Sequence, residues 1–546
     1  MSELTTLRKF EALSPFEIKN ELISLAKKSS RTSQSVFLNA GRGNPNWVAT
    51  TPREGFFLLG QFAITESKRV MDRSPGIGGM PQAHAIADRL DAWLAKHMDL
   101  PGAEFLKSMV QHAVKTFEFD RDAFVHELVD SIIGDNYPVP DRMLVHNERI
   151  VHEYLMWAMC GGHRPPGKFD LYAVEGGTAA MCYVFKSLKA NRLLHPGDTI
   201  ALGTPIFTPY LEMTHLEDYD LKVVNIAAPQ ENRFQFTDEE LKKLEDPKVK
   251  AFFIVNPGNP TGMALSKETI AKIAALVKDK RPDLMLLTDD VYGTFVPGFR
   301  SLMGEFPENT IGVYSYSKYF GCTGWRLGTI AVHENNIFDK MIAAHPEPIK
   351  KLLDKRYGGL TLEPRKFAFI DRIVADSRDI ALNHTAGLSL PQQVMMTLFS
   401  LSELMDEKKA YQKACIGICK KRVDATIEGL DIEVGPNQYF DYYYGLIDFE
   451  FFARKYLGED VVKWMKANVH PLDIVFRSAE DHGIVLLNGG GFAAPDWSVR
   501  ISFANLENHV YDDIGRAVRA IARGYRQAYE AATGKSAPPA PTKTKR

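Results

Sequence analysis

The sequence predicts an α/β protein: a large domain with a mainly parallel sheet, a smaller α+β domain and a helical insertion. Three observations carry this. Between residues 137 and 390, short apolar and β-branched runs alternate with stretches of helical period, the pattern of strands joined by crossover helices. Residues 48–136 keep a helical period with no strand-rich run. After residue 390, two long helical stretches precede scattered strand signals and a last helix. At 546 residues the chain is longer than one ordinary domain.

The elements follow in order. Residues 1–47 read as a polar helix, then an extended piece entering Asn39-Ala40-Gly41-Arg42-Gly43-Asn44-Pro45, an arm belonging with the small domain. The insertion, 48–136, includes helices at 83–98, with Ile86, Leu90, Trp93 and Leu94 on one face, and at 104–117. The large domain, 137–390, has strand candidates at 171–174, 199–202, 222–225, 251–255, 285–288, 310–315 and 329–332, with helices such as 178–190 and 267–278 between them. The small domain, 391–534, has helices at 392–404, 407–428 and 510–531, and strands near 439–448, 484–487 and 499–502. Residues 535–546, rich in Pro, Ala and Lys, are expected to be disordered.

Composition excludes several classes. The hydrophobic fraction of 45% and charged fraction of 25% are those of a soluble globular protein. A net charge of -2 lacks the basic excess of a broad nucleic-acid surface. The N-terminal stretch has no apolar leader core, and no run of 18 apolar residues occurs, so no membrane span is expected. Five cysteines are scattered; Cys415 and Cys419 share a helix face without a second Cys/His pair at zinc spacing. They read as ordinary buried thiols in a reducing, cytoplasmic setting, with no metal site.

Chemistry concentrates in four motifs. Ser315-Tyr316-Ser317-Lys318, followed by Gly324-Trp325-Arg326, sets a lysine in a polar, glycine-punctuated loop. Its amine can form a Schiff base with an aldehyde cofactor while the hydroxyls and the guanidinium hold a phosphate, which suggests pyridoxal 5'-phosphate (PLP). Glu175-Gly176-Gly177-Thr178, between strand and helix, suits a phosphate at a helix N-terminus or serves as a plain helix cap. Asn256-Pro257-Gly258-Asn259-Pro260-Thr261-Gly262 follows an apolar strand, where Asn259 can donate to a phenolic oxygen. Thr288-Asp289-Asp290-Val291-Tyr292 ends another strand; it is either a solvated acidic pair or a carboxylate set against a pyridine nitrogen, with Tyr292 near the ring hydroxyl.

Taken in chain order, from Gly176-Gly177-Thr178 to Gly324-Trp325-Arg326, the motifs resemble the aspartate aminotransferase superfamily, the fold-type I PLP enzymes of class I/II aminotransferase type. The resemblance covers about residues 137–530 and the arm at 42–47, and it implies the PLP-dependent transferase-like fold. It implies that Lys318 carries the cofactor and then shuttles protons, and that Asp289 pairs with the pyridine nitrogen. Asn259 and Tyr292 would contact the ring hydroxyl, and Phe207 would stack on the ring. Gly177, Thr178, Ser315, Ser317 and Arg326 would bind the phosphate. Arg500, charged inside the apolar Val499–Phe503 run, would grip the substrate α-carboxylate. Gly43 would lie beside the substrate. Tyr137 would reach the phosphate in a neighbouring subunit, which implies a homodimer with shared sites.

The insertion, the Gly41–Trp47 arm and the long C-terminal region set the chain apart from ordinary aminotransferases. Together they resemble the bacterial aspartate 4-decarboxylase branch. That branch implies conversion of L-aspartate to L-alanine and carbon dioxide, aminotransferase side activity with keto acids, and assembly as a dodecamer. The distal carboxylate then needs a group to hold it; Arg42, Arg378 and the hydroxyl of Tyr210 are the candidates. A plain aminotransferase for aspartate, alanine or an aromatic amino acid is the alternative. A PLP-binding regulator is a remoter one, because the inserted helices carry mixed charge and no basic recognition helix.

Overall fold

The computed structural model describes residues 7–11, 13–33, 37–378 and 387–536. Its centre is a seven-stranded sheet: β1 (Phe169–Val174), β2 (Thr199–Thr204), β3 (Lys222–Ala227), β4 (Val249–Val255), β5 (Met285–Asp289), β6 (Thr310–Ser315) and β7 (Gly328–His333). The order across the sheet is β1-β7-β6-β5-β4-β2-β3. Only β7 runs against its neighbours. β5 and β6 are buried along their whole length, as strands covered on both faces by helices must be. The edge strand β3 is half exposed and reads less apolar. Each strand lies within two residues of its sequence expectation.

The inserted segment folds as helices Thr50–Val70, Ile86–Ala95, Ala103–Phe117 and Arg121–Ile133. It is not helical throughout. A small exposed hairpin, Asp72–Arg73 with Ile77–Gly78, interrupts it, turning at Gly76 with φ of 114°. Its strands are too short to show alternation in the sequence, and the turn chemistry of Ser74-Pro75-Gly76 was its only signal. Phe62, Leu106 and Phe124 of the insertion share one continuous core with Leu171 and Val313 of the sheet and Phe399 beyond it. The inserted helices therefore thicken the sheet domain and do not build a core of their own.

A second core joins the two ends of the chain. Ile18 and Leu22 of helix Pro15–Ser33 pack with Val475, Phe476, Ile514 and Val518. Leu38–Asn39 pairs in parallel with Ile484–Val485. Beside them lies an antiparallel sheet of β8 (Tyr444–Asp448), β9 (Leu487–Asn488) and β10 (Ser498–Ser502), with β10 in the middle. β8 starts later than the 439–448 signal suggests. Asp441 Oδ1 there accepts the backbone N–H of Tyr443 at 2.7 Å and of Tyr444 at 3.3 Å, and Tyr442 is left-handed with φ of 58°. The run is a turn before it is a strand. Helix Ala410–Leu430 likewise begins after Lys409, whose φ of 51° breaks the expected 407 start.

The tail expected to be disordered lies, from 537 onward, outside the described residues. Among the described residues no helix is long and apolar enough to cross a membrane, and no three metal-ligating side chains come together.

Candidate active site

The carboxyl ends of β1, β2, β4, β5 and β6 open on one cavity of about 420 Å³, closed from the other side by the arm, β8 and β10. This is where an open α/β sheet exposes loops and helix N-termini, and where such sheets hold ligands. Of the residues singled out in the sequence, Gly43, Gly177, Thr178, Phe207, Tyr210, Asn259, Asp289, Tyr292, Ser315, Ser317, Lys318, Arg326 and Arg500 line it.

Lys318, just past β6, points its Nζ at the carbonyl of Gly43, 3.2 Å away. The same carbonyl accepts from Tyr443 Oη at 2.7 Å. A Cβ on Gly43 would come within 2.6 Å of Tyr444 Oη and 3.2 Å of Lys318 Nζ. The arm approaches the lysine this closely because residue 43 has no side chain.

Asp289 ends β5 and is buried. Tyr210 Oη donates to its Oδ2 at 2.6 Å and the Val291 N–H to its Oδ1 at 3.3 Å. Burial raises its pKa above the ordinary carboxylate value; the Tyr210 hydroxyl, the Val291 amide and the Lys318 charge pull the other way. Its neighbour Asp290 turns away from the cavity, accepting from Thr288 Oγ1 at 2.6 Å and from Ser301 Oγ, and burial pushes it up to about 8. Tyr292 is buried against Tyr443 and Tyr444, with ring centroids 5.2 Å from each. Burial first, then the Tyr444 and Tyr443 oxygens, raises its hydroxyl pKa well above the ordinary value.

Arg326 and Gly176 build the opposite corner. Gly176 has φ of 90°, and a Cβ there would overlap Arg326 Nη2. The guanidinium donates to the carbonyls of Glu175 and Thr323, each at 3.1 Å. Helix Gly177–Ala190 points its N-terminus into the same corner, and Ser315 Oγ bonds Ser317 Oγ at 3.0 Å. Free backbone N–H groups, hydroxyls and a guanidinium around one space are a setting for an anion.

Arg500 sits at the centre of β10 and is 1% exposed. Its Nη1 donates to Asn259 Oδ1 at 3.2 Å and its Nη2 to the Gly41 carbonyl at 2.8 Å. The Tyr444 ring covers it at 4.4 Å. Among the described residues it has no acidic partner, and its buried Nε has no hydrogen-bond partner.

Three candidates lie elsewhere. Arg378 is pinned to Glu175 Oε1 and to Tyr183 Oη, each at 2.7 Å, and does not line the cavity. Arg42 is exposed beside the arm glycine, with its Nε on Asn44 Oδ1 at 3.0 Å. Tyr137 is 66% exposed and away from this chain's own cavity. Sequence reasoning missed Tyr443 and Tyr444, whose signal was the Asp441-Tyr442-Tyr443-Tyr444 run ahead of a strand. It also missed Phe16, for which no local signal exists; Lys19 lies nearby without lining the cavity. Phe16 lines the cavity, with its ring centroid 5.6 Å from that of Phe207. Burial and the nearby charges of Arg500 and Arg42 lower the Lys19 pKa.

Residues 175–518 match the model of the aminotransferase class I and II family. The chain belongs to that family. It is similar to a Pseudomonas protein named a bifunctional aspartate aminotransferase and L-aspartate beta-decarboxylase, 47% identical over 525 residues, or 96% of this chain and 98% of that one. An aspartate aminotransferase of Pyrococcus abyssi is 36% identical over 275 residues, 47% of this chain and 66% of its own. Among solved structures, the aspartate aminotransferase of Rhizobium meliloti superposes with a TM-score of 0.57 at 15% identity, covering 94% of this chain and 97% of its own. That places this member of the family on the aspartate aminotransferase fold.

Proposed function

We propose that this chain is a PLP-dependent enzyme that removes the β-carboxylate of L-aspartate to give L-alanine and carbon dioxide, with aminotransferase side activity. One observation carries the reading: a single cavity is faced by an amine, a buried carboxylate and a buried, acid-free guanidinium. The chain is also similar, almost end to end, to a relative named for that pair of reactions.

The residues fit the cofactor. Asp289 is a buried carboxylate held only by neutral donors, which suits a protonated ring nitrogen. Gly177 and Thr178, in the first turn of helix Gly177–Ala190, line the cavity beside Ser315, Ser317 and Arg326, which suits a phosphate at a helix N-terminus. When bound, PLP supplies an aldehyde that condenses with an amine and a ring that withdraws electrons from the bonds of an attached amino acid.

The chain's own residues do the rest. Lys318 Nζ holds the cofactor and, once displaced by substrate, moves the proton at Cα. Asp289, itself oriented by Tyr210, keeps positive charge on the ring. Arg326, Ser315, Ser317, Gly177 and Thr178 hold the phosphate. With the cofactor bound, Asn259 and Tyr292 would contact its ring hydroxyl and Phe207 would stack on its ring. Arg500 receives the α-carboxylate through the edge that carries its unpartnered Nε.

Of the candidates for the distal carboxylate, the Tyr210 hydroxyl lines the cavity, and Arg42, exposed beside Gly43, would have to turn inward to reach it. Tyr444, Tyr443 and Phe16 close the space around it and exclude the water that would divert the reaction to transamination.

A homodimer with shared sites belongs to the same proposal, with Tyr137 directed at a neighbour's cavity, as does the dodecamer built from such dimers. Incubating purified protein with PLP and L-aspartate, without keto acid, tests the function. Alanine and carbon dioxide in equal amounts are expected; oxaloacetate formation that requires added keto acid, with no carbon dioxide, would leave a plain aminotransferase.

A further inference from the structure

One side chain of the inserted helices bonds the turn that follows the reacting lysine. Arg53 lies in the first turn of helix Thr50–Val70, where the helix dipole disfavours a cation. It is half buried, burial lowers its pKa, and among the described residues it has no acidic partner. Its contacts are carbonyls. Nη1 donates to Ala49 at 2.6 Å and to Phe320 at 3.1 Å, and Nη2 to Gly321 at 2.9 Å, with the guanidinium 5.1 Å above the Phe399 ring.

Phe320 and Gly321 belong to the turn that immediately follows Lys318. That turn is closed by Phe320 N–H on the Tyr316 carbonyl (3.2 Å) and Cys322 N–H on the Ser317 carbonyl (3.0 Å). The segment before Arg53 grips the same turn. Trp47 Nε1 donates to the Tyr319 carbonyl at 3.2 Å and the Ala49 N–H to the Phe320 carbonyl at 3.2 Å. Gly321 has φ of 58°, and a Cβ there would overlap the Trp47 carbonyl. The arm and the first turn of the insertion thus bond three successive carbonyls after the lysine, with Tyr411 Oη sharing that of Tyr319 at 2.9 Å.

We propose that Arg53 is a positioning residue for Lys318. By fixing the Phe320 and Gly321 carbonyls it holds the lysine's backbone in the register that sends Nζ into the cavity, and this is what the insertion contributes to the chemistry. The proposal rests on the reading of Lys318 as the reacting amine. A cation does this better than a neutral donor because its hydrogen bonds to carbonyls are charge-assisted and planar, with one guanidinium spanning both Phe320 and Gly321.

The test uses the full chain carrying Arg53→Gln or Arg53→Lys. In cofactor-free protein, hydrogen exchange at the Phe320 and Cys322 amides is expected to quicken at least about tenfold in Arg53→Gln, with β6 amides unchanged. Arg53→Lys, which keeps the charge and reaches one carbonyl, should lie between. With PLP bound, kcat for aspartate should fall about tenfold with KM within about twofold, and the pH midpoint of the Lys318-linked cofactor's absorption should move; the lysine variant should recover part of both.

Unchanged exchange at 319–322 with a lowered melting temperature would overturn the proposal, leaving Arg53 as an anchor of its own helix. Should Arg53→Gln fail to fold, Arg53→Lys carries the test alone, and unchanged exchange there overturns it equally. Exchange is read without turnover, so failure here is separable from failure of the aspartate reaction.

Discussion

Replacing Arg500 by methionine separates what the fold needs from what the reaction needs. The guanidinium is buried and has no acidic partner among the described residues. Removing it relieves a desolvation penalty of several kcal/mol. Against that, the Gly41 carbonyl and Asn259 Oδ1 each lose a donor, at about 1–3 kcal/mol apiece. The terms oppose each other, so the unfolding free energy should change by no more than about 2 kcal/mol either way.

Binding has no such compensation. Two charge-assisted hydrogen bonds to a carboxylate are worth about 1.5–3 kcal/mol each. Their loss should cut kcat/KM for aspartate by about 10²–10⁴. The assays are urea unfolding of the cofactor-free protein, steady-state kinetics, and calorimetric titration with succinate. A variant that loses several kcal/mol of stability yet keeps wild-type kcat/KM would refute the reasoning, because Arg500 would then be a structural residue.

Three further outcomes follow from the same geometry. Lys318→Ala should abolish both decarboxylation and transamination, together with the borohydride-trappable link to the cofactor; retained turnover would remove the lysine from its role. Asp290 holds its proton up to about pH 8 in the fold, whereas an unfolded aspartate releases it near its ordinary value. Native protein therefore binds the extra proton, and stability falls as pH rises through that window. Asp290→Asn should gain on wild type in urea midpoint between pH 4 and pH 8, and a gap that does not change with pH would contradict the burial argument. Gly176→Ala, at a φ of 90° against Arg326, should cost about 1–3 kcal/mol of local strain. It should also weaken PLP retention measured by dialysis, and unaltered retention would show that this corner does not hold the phosphate.

Much of the sheet was legible because strands buried on both faces are largely apolar, and β4, β5 and β6 carry such runs at 251–255, 285–287 and 311–314. Their last residues and the turns that follow carry the glycines, hydroxyls and charges, so those motifs stand out along the chain. Features set by contacts distant in sequence were not legible. Nothing in Asp289-Asp290 says which carboxylate faces the cavity; Tyr210 and Ser301 divide them, from loops far apart. Arg378 looked available for a substrate until Glu175 and Tyr183 were seen to hold it. The Asp72–Gly78 hairpin was hidden because two-residue strands have no period.

The order of strands and helices, the family and the lysine loop were written in local chemistry: apolar runs, turn residues and a motif order read one residue after another. What the cavity is made of was decided only by folding. Helix Pro15–Ser33, the arm, the insertion and β8 converge from hundreds of residues apart, and Phe16, Tyr444 and Arg53 acquire meaning from what lies across from them. Burial and partnership are properties of the three-dimensional neighbourhood, and they decide whether a charge is a surface ornament or a working group.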